Sequence, residues 1–298
     1  MAQPETPKKQ HYVPKYYLRR FTEEGERLWV DDLVRKKRYK SNVGDVCEEN
    51  YLYEMLAEPT AWHGSIILPG KIEKRLSKIE GEQAQLLARV DRQAEKGRIS
   101  EKNRRGVAWL IAHFIARHPA MLADYEPDYD AMMSDPFVRE GCQLLEQLGM
   151  GSDIEVLANG ANQMVLTLWR RKGSPTYFAK TNLEALNFRF FKATGDVRFI
   201  TSSLPPHFNT SERADGKDHI DDLLMPLSDT LAVEYGRTFA STSKPIGVQD
   251  EEVVRINAGY YLGVPLREKV LAGRESDLSA AREYAQGWKA AALIRAVR

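Results

Sequence analysis

The side chains best able to do chemistry are concentrated in residues 10–21, which read Gln-His-Tyr-Val-Pro-Lys-Tyr-Tyr-Leu-Arg-Arg-Phe. An imidazole titrates near neutral pH, so His11 beside Lys15 and Arg19 would suit proton transfer next to a bound phosphate. His11 and Tyr12 could equally pin the N-terminal arm to the core, because buried polar groups usually serve as hydrogen-bond partners. His11 is therefore a candidate catalytic acid or base, and the structural interpretation stays open beside it.

Basic and aromatic residues around His11 form a candidate phosphate-binding surface. Lysine and arginine displace the counterions condensed on a nucleic acid, and tyrosine adds a hydroxyl donor. A second basic group, residues 35–40, reads Arg-Lys-Lys-Arg-Tyr-Lys and is either a phosphate contact or a solvated hairpin turn. The predicted ligand- or phosphate-binding residues are Tyr12, Lys15, Tyr16, Arg19, Arg20, Lys36, Lys37 and Thr201.

The candidate nucleophile lies in the Thr-Ser-Ser sequence at residues 201–203. We take Ser202 as the second candidate catalytic residue, although no glycine elbow surrounds it and serines at a strand end often bond to turn amides. No metal site is predicted, because His113 and His118 are five residues apart and the two cysteines lack ligand spacing. The sequence does not indicate a particular cofactor.

The composition is that of an ordinary globular protein, with 298 residues, 43% of them hydrophobic, and a net charge of +1. No apolar run approaches the roughly 20 residues of a membrane span, and residues 1–9 lack the apolar core of a signal peptide. We therefore expect a cytoplasmic protein without membrane association. The charge is uneven: residues 1–40 carry +5, so the remainder carries −4, and an acidic ligand would favour the N-terminal part.

Several enzyme classes have no support in the sequence. There is no Gly-x-x-x-x-Gly-Lys-Ser/Thr loop and no Gly-x-Gly-x-x-Gly after a strand, as nucleotide hydrolysis or dinucleotide redox chemistry would require. The closely spaced arginine and histidine of a HEPN-type ribonuclease are also missing, because Arg105 and His113 are eight residues apart.

Local patterns predict the elements that position these residues. Apolar positions at helical spacing, with a capping residue before them and glycine or proline after them, predict helices, and short alternating runs predict strands. The predicted helices cover residues 14–21, 71–97 and 100–118, two segments beginning at Asp135 and Ser152, and residues 257–272 and 277–297. The predicted strands cover residues 27–31, 37–43, 188–192, 197–201, 223–227 and 231–235. The turn at 194–196 would join two of these strands in a hairpin, and residues 209–219 are predicted to be a mobile loop.

These elements predict an α+β fold. A central helical bundle over residues 71–185 would pack on a mostly antiparallel sheet that combines strands from residues 1–60 with strands from residues 186–298. The two ends are expected to share a sheet, because a two-stranded hairpin alone is only marginally stable. We expect one domain over residues 1–298.

Several segments together resemble a bacterial domain-of-unknown-function family marked by an N-terminal His-Tyr-Val-Pro motif. The segments are residues 10–21, Leu28-Trp29-Val30, 71–90, Phe114 to Pro119, Val197 to Pro205 and Met225 to Ser228. In that family the C-terminal strand usually reads Phe-Ile-Thr-Ser-Asp-x-Pro, whereas Ser203 stands at the position of the Asp here. The resemblance implies an accessory bacterial gene with a conceivable role in conflict with phage.

Two functional hypotheses of different class follow. The first is a nuclease-like enzyme acting on nucleic acid or a nucleotide, with His11 and Ser202 in the reaction and the cations on phosphate. The second is a non-catalytic sensor or partner module that binds a ligand or a protein through its tyrosine and arginine cluster. Convergence of His11, Arg19 and residues 201–203 in an open cleft would favour the enzyme, and full burial would favour the module.

Overall fold

A computed structural model describes residues 9–23, 25–50, 52, 71–120, 175–213, 218–262 and 267–296. Its helices are α1 (Lys15–Leu18), α2 (Lys71–Glu95), α3 (Glu101–Ala116), α4 (Pro175–Glu184), α5 (Asp250–Leu262) and α6 (Glu275–Ala296). Its strands are β1 (Lys9–His11), β2 (Arg27–Asp32), β3 (Lys37–Asn42), β4 (Glu48–Asn50), β5 (Asn187–Ala193), β6 (Thr201–Ser202), β7 (His207–Glu212), β8 (Asp218–Pro226), β9 (Leu231–Gly236), β10 (Ile246–Val248) and β11 (Lys269–Ala272). Helices and mostly antiparallel strands confirm the predicted α+β class.

A four-stranded antiparallel sheet joins the two ends of the chain. Its order is β3-β2-β11-β6, so the N-terminal hairpin pairs directly with C-terminal strands, and Val30 lies opposite Leu271. The prediction that distant strands share a sheet is thereby confirmed. A single domain over the whole chain stays a prediction.

A five-stranded sheet corrects the predicted 188–201 hairpin. Its order is β10-β5-β9-β8-β7, with β10 parallel to β5 and the other pairs antiparallel. After β5 the turn at Gly195 packs against Asp250, whose carboxylate accepts from the Val197 amide at 2.9 Å. The chain is thereby redirected toward α5, and β6 pairs with β11 instead of with β5. The pattern of residue types was strand-like, but a long-range contact chose the partner.

Two further predictions of local structure were wrong. The segment predicted as a loop forms much of β7 and the start of β8, which pair with a register shift at Asn209 and Thr210. The helix predicted over residues 257–272 ends at Leu262, and β11 follows at Lys269. Both errors arise where sheet pairing outweighs weak local signals.

The other predicted helices that lie within the described residues are present. α2 carries its apolar stripe onto α3 and ends just before Gly97, whose φ of +75° suits a left-handed turn. The Ser100 hydroxyl accepts the Asn103 amide and caps α3 as predicted. The helices expected after Asp135 and Ser152 lie outside the described residues. Within the described helices, none is long and apolar enough to cross a membrane.

Gly273 follows β11 at a point where the backbone of residues 21–23 passes very close. A Cβ at this position would lie 2.5 Å from the Phe21 carbonyl oxygen and 3.2 Å from the Glu23 nitrogen. We expect Gly273→Ala to lower the free energy of unfolding by about 1–3 kcal/mol, because backbone cannot move aside as a flexible side chain can. Urea denaturation measures the change.

Gly81 provides the matched control for this substitution. It is exposed within α2, and a Cβ there would meet nothing within 4 Å. Gly81→Ala should therefore raise stability by about 0.5–1 kcal/mol through helix propensity. Equal effects at the two glycines would contradict the close approach at Gly273.

Candidate functional site

The N-terminal motif is held between β4 and the end of α3. β1 pairs with β4, which places His11 opposite Glu48, and the Tyr12 amide donates to the Cys47 carbonyl at 3.1 Å. His11 is half-buried, and burial together with the neighbouring Lys15 lowers its pKa to about 4. At neutral pH its imidazole is therefore uncharged and a weak base.

Arg117, at the end of α3, connects this arm to the helices. Its guanidinium is 2% exposed, donates to Glu80 of α2 at 2.8 Å and also donates to the His11 carbonyl oxygen. The Tyr12 ring meets the His118 ring edge-on at 5.5 Å. The motif, α2 and α3 thus form one buried polar network.

The two tyrosines of α1 point to different partners. Tyr16 donates to Gln83 at 2.8 Å, and the Gln83 amide lies 3.2 Å from His113 Nδ1. Tyr17 is fully buried; its hydroxyl donates to the Pro226 carbonyl at 2.6 Å and lies 3.0 Å from Thr201 Oγ1. Burial raises the pKa of both phenols well above the usual range, so both stay protonated.

The cations predicted to bind phosphate on α1 and the 3-10 turn after it divide into two groups. Arg20 makes a bidentate pair with Asp91 at 2.7 and 2.8 Å and donates to the Leu227 carbonyl at 2.5 Å. Arg19 pairs with Glu26 at 2.7 Å on the surface, and Lys15 is exposed. Arg20 thus joins the turn to α2, and its guanidinium is directed at protein partners.

The end of β6 brings Thr201, Ser202 and Ser203 into the interior, where all three are fully buried. The Ser202 hydroxyl donates to the Leu204 carbonyl at 2.6 Å and accepts from Arg267 Nε at 3.0 Å. Ser203 Oγ accepts the backbone amides of Glu268 and Lys269 at 3.0 and 3.1 Å. A serine therefore caps this turn at the position where the resemblance expects an aspartate.

The second basic group forms the tip of the β2–β3 hairpin, as the sequence predicts. Lys36, with a φ of +53°, closes the turn, and Lys36, Lys37 and Lys40 are all exposed. None of these three lysines forms an ion pair with any residue in the described ranges. Lys40 Nζ lies 5.8 Å from the Trp29 ring centroid, so an aromatic face borders the cations.

A buried carboxylate anchors this hairpin to the C-terminal helices. Asp31 of β2 accepts from Arg38 at 3.0 Å, from Arg282 of α6 at 3.2 Å and from the Tyr261 hydroxyl of α5 at 3.0 Å. The hairpin therefore presents its lysines from a backbone that is tied to α5 and α6 at its base.

A groove of about 630 Å³ lies between α2 and α3. Its lining carries acidic Glu82 and Glu101 together with basic Arg89, Lys102 and Arg105. Mixed charges do not select a ligand of one sign. Across the described residues, no group of three or more histidine, cysteine or acidic side chains is arranged to hold a metal ion.

A family model described as "Protein of unknown function (DUF4238)" matches residues 9–258. The chain belongs to the DUF4238 family. The match begins at β1 and ends within α5, so the family region includes the N-terminal motif, the basic hairpin and the five-stranded sheet. Arg267 and β11 lie beyond the part of the chain that the DUF4238 model covers. Neither a curated protein nor a solved structure matches the chain.

Several residues that organise this region were missed by sequence reasoning. Glu80, Asp91 and Arg117 lie on helices or at a helix end, where charged residues are common, so nothing in their spacing marks them as members of ion pairs that join the elements. Arg267 is isolated in sequence and becomes notable only because folding buries it to 4% exposure. The one available signal was the Phe114–Pro119 segment of the family resemblance, which contains Arg117.

Proposed function

We propose that this DUF4238 protein is a non-catalytic binding module whose ligand is nucleic acid, bound through the basic tip of the β2–β3 hairpin. The observation that carries the proposal is the group of exposed lysines, Lys36, Lys37 and Lys40, none of which is paired with a carboxylate in the described part of the chain. Unpaired surface cations gain the most from phosphate, because binding releases condensed counterions without breaking an existing ion pair.

The neighbouring side chains support nucleic acid as the ligand. Between residues 34 and 40 the sequence has five cations and no acid, and Arg38 alone of these is held by the buried Asp31. Trp29 is half-buried, packs against the core and lies beneath Lys40, so an unstacked base could lie on its ring if the Lys40 side chain moved aside. A basic strip with an adjacent aromatic ring is typical of surfaces that bind single strands.

The burial of the candidate hydroxyls and the low pKa of His11 favour binding over hydrolysis. The hydroxyls of Thr201 and Ser202 are fully buried and hydrogen-bonded within the protein. His11, with a pKa of about 4, is poorly matched to proton transfer at neutral pH. Burial of Thr201 and Ser202 supports the module, whereas His11 is only half-buried and Arg19 is exposed. Catalysis by His11 and Ser202 stays a prediction to be tested.

Charge reversal at the hairpin tests the proposal. The double variant Lys36→Glu with Lys37→Glu should keep its stability within about 0.5 kcal/mol, because both side chains are exposed. Its affinity for single-stranded RNA or DNA of about 20 nucleotides should fall, and the slope of log K against log salt should flatten by about one for each phosphate that the variant no longer binds. Fluorescence anisotropy at several salt concentrations measures both quantities.

The matched control reverses two lysines elsewhere. Lys96 and Lys102 are exposed near the α2–α3 connection, and Lys96→Glu with Lys102→Glu changes the net charge by the same amount. An equal loss of affinity in this control would contradict a hairpin site, and failure of the unmodified protein to bind either polymer would end the nucleic-acid proposal. Incubating the probes with and without Mg²⁺ also tests the nuclease hypothesis, which predicts cleavage. A role in phage defence stays a prediction of the family resemblance.

A further inference from the structure

Arg267 is a buried cation with no acidic partner among the described residues. It is 4% exposed, its Nε donates to Ser202 Oγ at 3.0 Å and its Nη2 donates to the Pro206 carbonyl at 3.4 Å. The guanidinium also lies 4.8 Å from the Tyr260 ring centroid. All these partners are neutral, and across the described residues Nη1 has no hydrogen-bond partner although it is buried.

With the partners that the described residues supply, this arrangement is energetically unfavourable. A buried charge carries a desolvation penalty of several kcal/mol unless a counter-charge compensates it, and arginine remains charged at physiological pH. Arg117 shows the usual solution, because it is equally buried and pairs with Glu80 at 2.8 Å. Within the described ranges, Arg267 is instead left with an unused donor and no compensating negative charge.

Two histidines lie close to this cation. His207 follows Pro206, and its ring meets the Tyr260 ring edge-on at 6.4 Å, while its Nδ1 is buried without a partner among the described residues. His118 accepts the Ala120 amide at Nδ1, which leaves the proton on Nε2 as a donor. Burial, with a further contribution from Arg267, lowers the pKa of both histidines to about 4.

At Gly259 of α5 the packing beside His207 leaves room for one further carbon atom. A Cβ at Gly259 would lie 3.8 Å from His207 Nδ1 and Cε1, and outside its own helix it would meet no other atom of the described residues within 4 Å. His207 is half-buried, so the cluster lies just beneath the surface of the protein. The two unused donors are themselves buried, so an oxyanion would enter from the side of the half-buried His207 ring.

We propose that Arg267, His207 and His118 form a binding site for a small oxyanion, either free phosphate or the phosphate or carboxylate group of a larger ligand. The oxyanion would accept a hydrogen bond from Arg267 Nη1 and from the histidine N–H groups, and it would supply the negative charge that the guanidinium lacks. The site shares no residue with the basic hairpin, so it stands independently of the proposed nucleic-acid function.

Thermal unfolding of the full chain tests the proposal with inorganic phosphate and, separately, sodium acetate at pH 7.5 and constant ionic strength set by chloride. A ligand that binds the folded state raises the melting temperature in a saturable way, and we expect a rise of about 3 °C or more at high occupancy. A response to phosphate alone assigns the site to phosphate groups, and a response to acetate assigns it to carboxylates. A response to neither ion overturns the proposal.

Two variants test whether the rise in melting temperature depends on Arg267. Arg267→Met removes the cation with little change in volume and should abolish the rise, whereas Arg255→Met removes an exposed arginine paired with Glu252 and should retain it. An undiminished rise in Arg267→Met overturns the proposal. If that variant does not fold, the histidine ring resonances of the unmodified protein decide: phosphate or acetate should shift those of His118 and His207, and unchanged resonances overturn the site.

Discussion

Arg117→Met should lower the free energy of unfolding by about 3 kcal/mol, the largest loss that we expect from one substitution in the N-terminal network. The change leaves the Glu80 carboxylate, whose side chain is 27% exposed, without its buried partner, and it removes the donor to the His11 carbonyl. Loss of one member of a buried ion pair is expensive because the other charge remains partly desolvated. Urea denaturation measures the loss, and hydrogen exchange should accelerate at residues 9–13.

Arg105 is the matched control on the same helix. It also contacts a glutamate, Glu101, at 3.1 Å, but its side chain is 65% exposed. Arg105→Met should therefore change stability by at most about 1 kcal/mol. If the two substitutions had equal effects, or if exchange at residues 9–13 did not change in Arg117→Met, the proposed anchoring of the motif would be wrong.

Acidification from pH 7.5 to 4 should lower the free energy of unfolding by about 5 kcal/mol through three histidines. His11, His118 and His207 have pKa values of about 4 in the folded protein, below the ordinary value of 6.5. Between these two pH values the unfolded chain binds more protons, so stability falls as the pH decreases. A full shift corresponds to about 3 kcal/mol per histidine, and partial exposure of His11 and His207 reduces their contributions.

Urea denaturation at pH 7.5, 6.5, 5.5, 4.5 and 4 measures this dependence. Asp229 and Asp277 act in the opposite direction, because burial raises the pKa of each carboxyl group. The double variant His118→Gln with His207→Gln isolates the histidine contribution and should remove more than half of the slope. An unchanged slope in that variant would show that other groups cause the acid sensitivity.

Protonation of His118 and His207 links the acid sensitivity to the proposed oxyanion site. The neutral histidines beside Arg267 avoid adding like charge to a cation that has no acidic partner in the described part of the chain. A bound phosphate would reverse this balance, because a nearby negative charge favours the protonated imidazole. Phosphate should therefore reduce the loss of stability between pH 6.5 and 5, and the double histidine variant should show less of this protection.

The sequence by itself determined the helices and turns whose signals come from residues close together in the chain. The apolar stripe of residues 71–97, the Ser100 cap and the basic turn at 35–40 each predict their structure correctly, because periodicity, capping and turn closure depend on near neighbours. The family resemblance was also available from short motifs, and the match over residues 9–258 is consistent with it. The α+β class follows from these elements together.

Only the tertiary structure decided which strands pair and which charges are buried. The chain after Gly195 turns away from β5 because Asp250, more than 50 residues later, accepts the Val197 amide. Folding removes Arg20 and Arg267 at least partly from solvent, yet one meets Asp91 and the other meets only neutral groups among the described residues. Burial and partnership depend on residues far apart in the chain, so the polarity of a side chain alone could not reveal whether it serves the fold or remains available to a ligand.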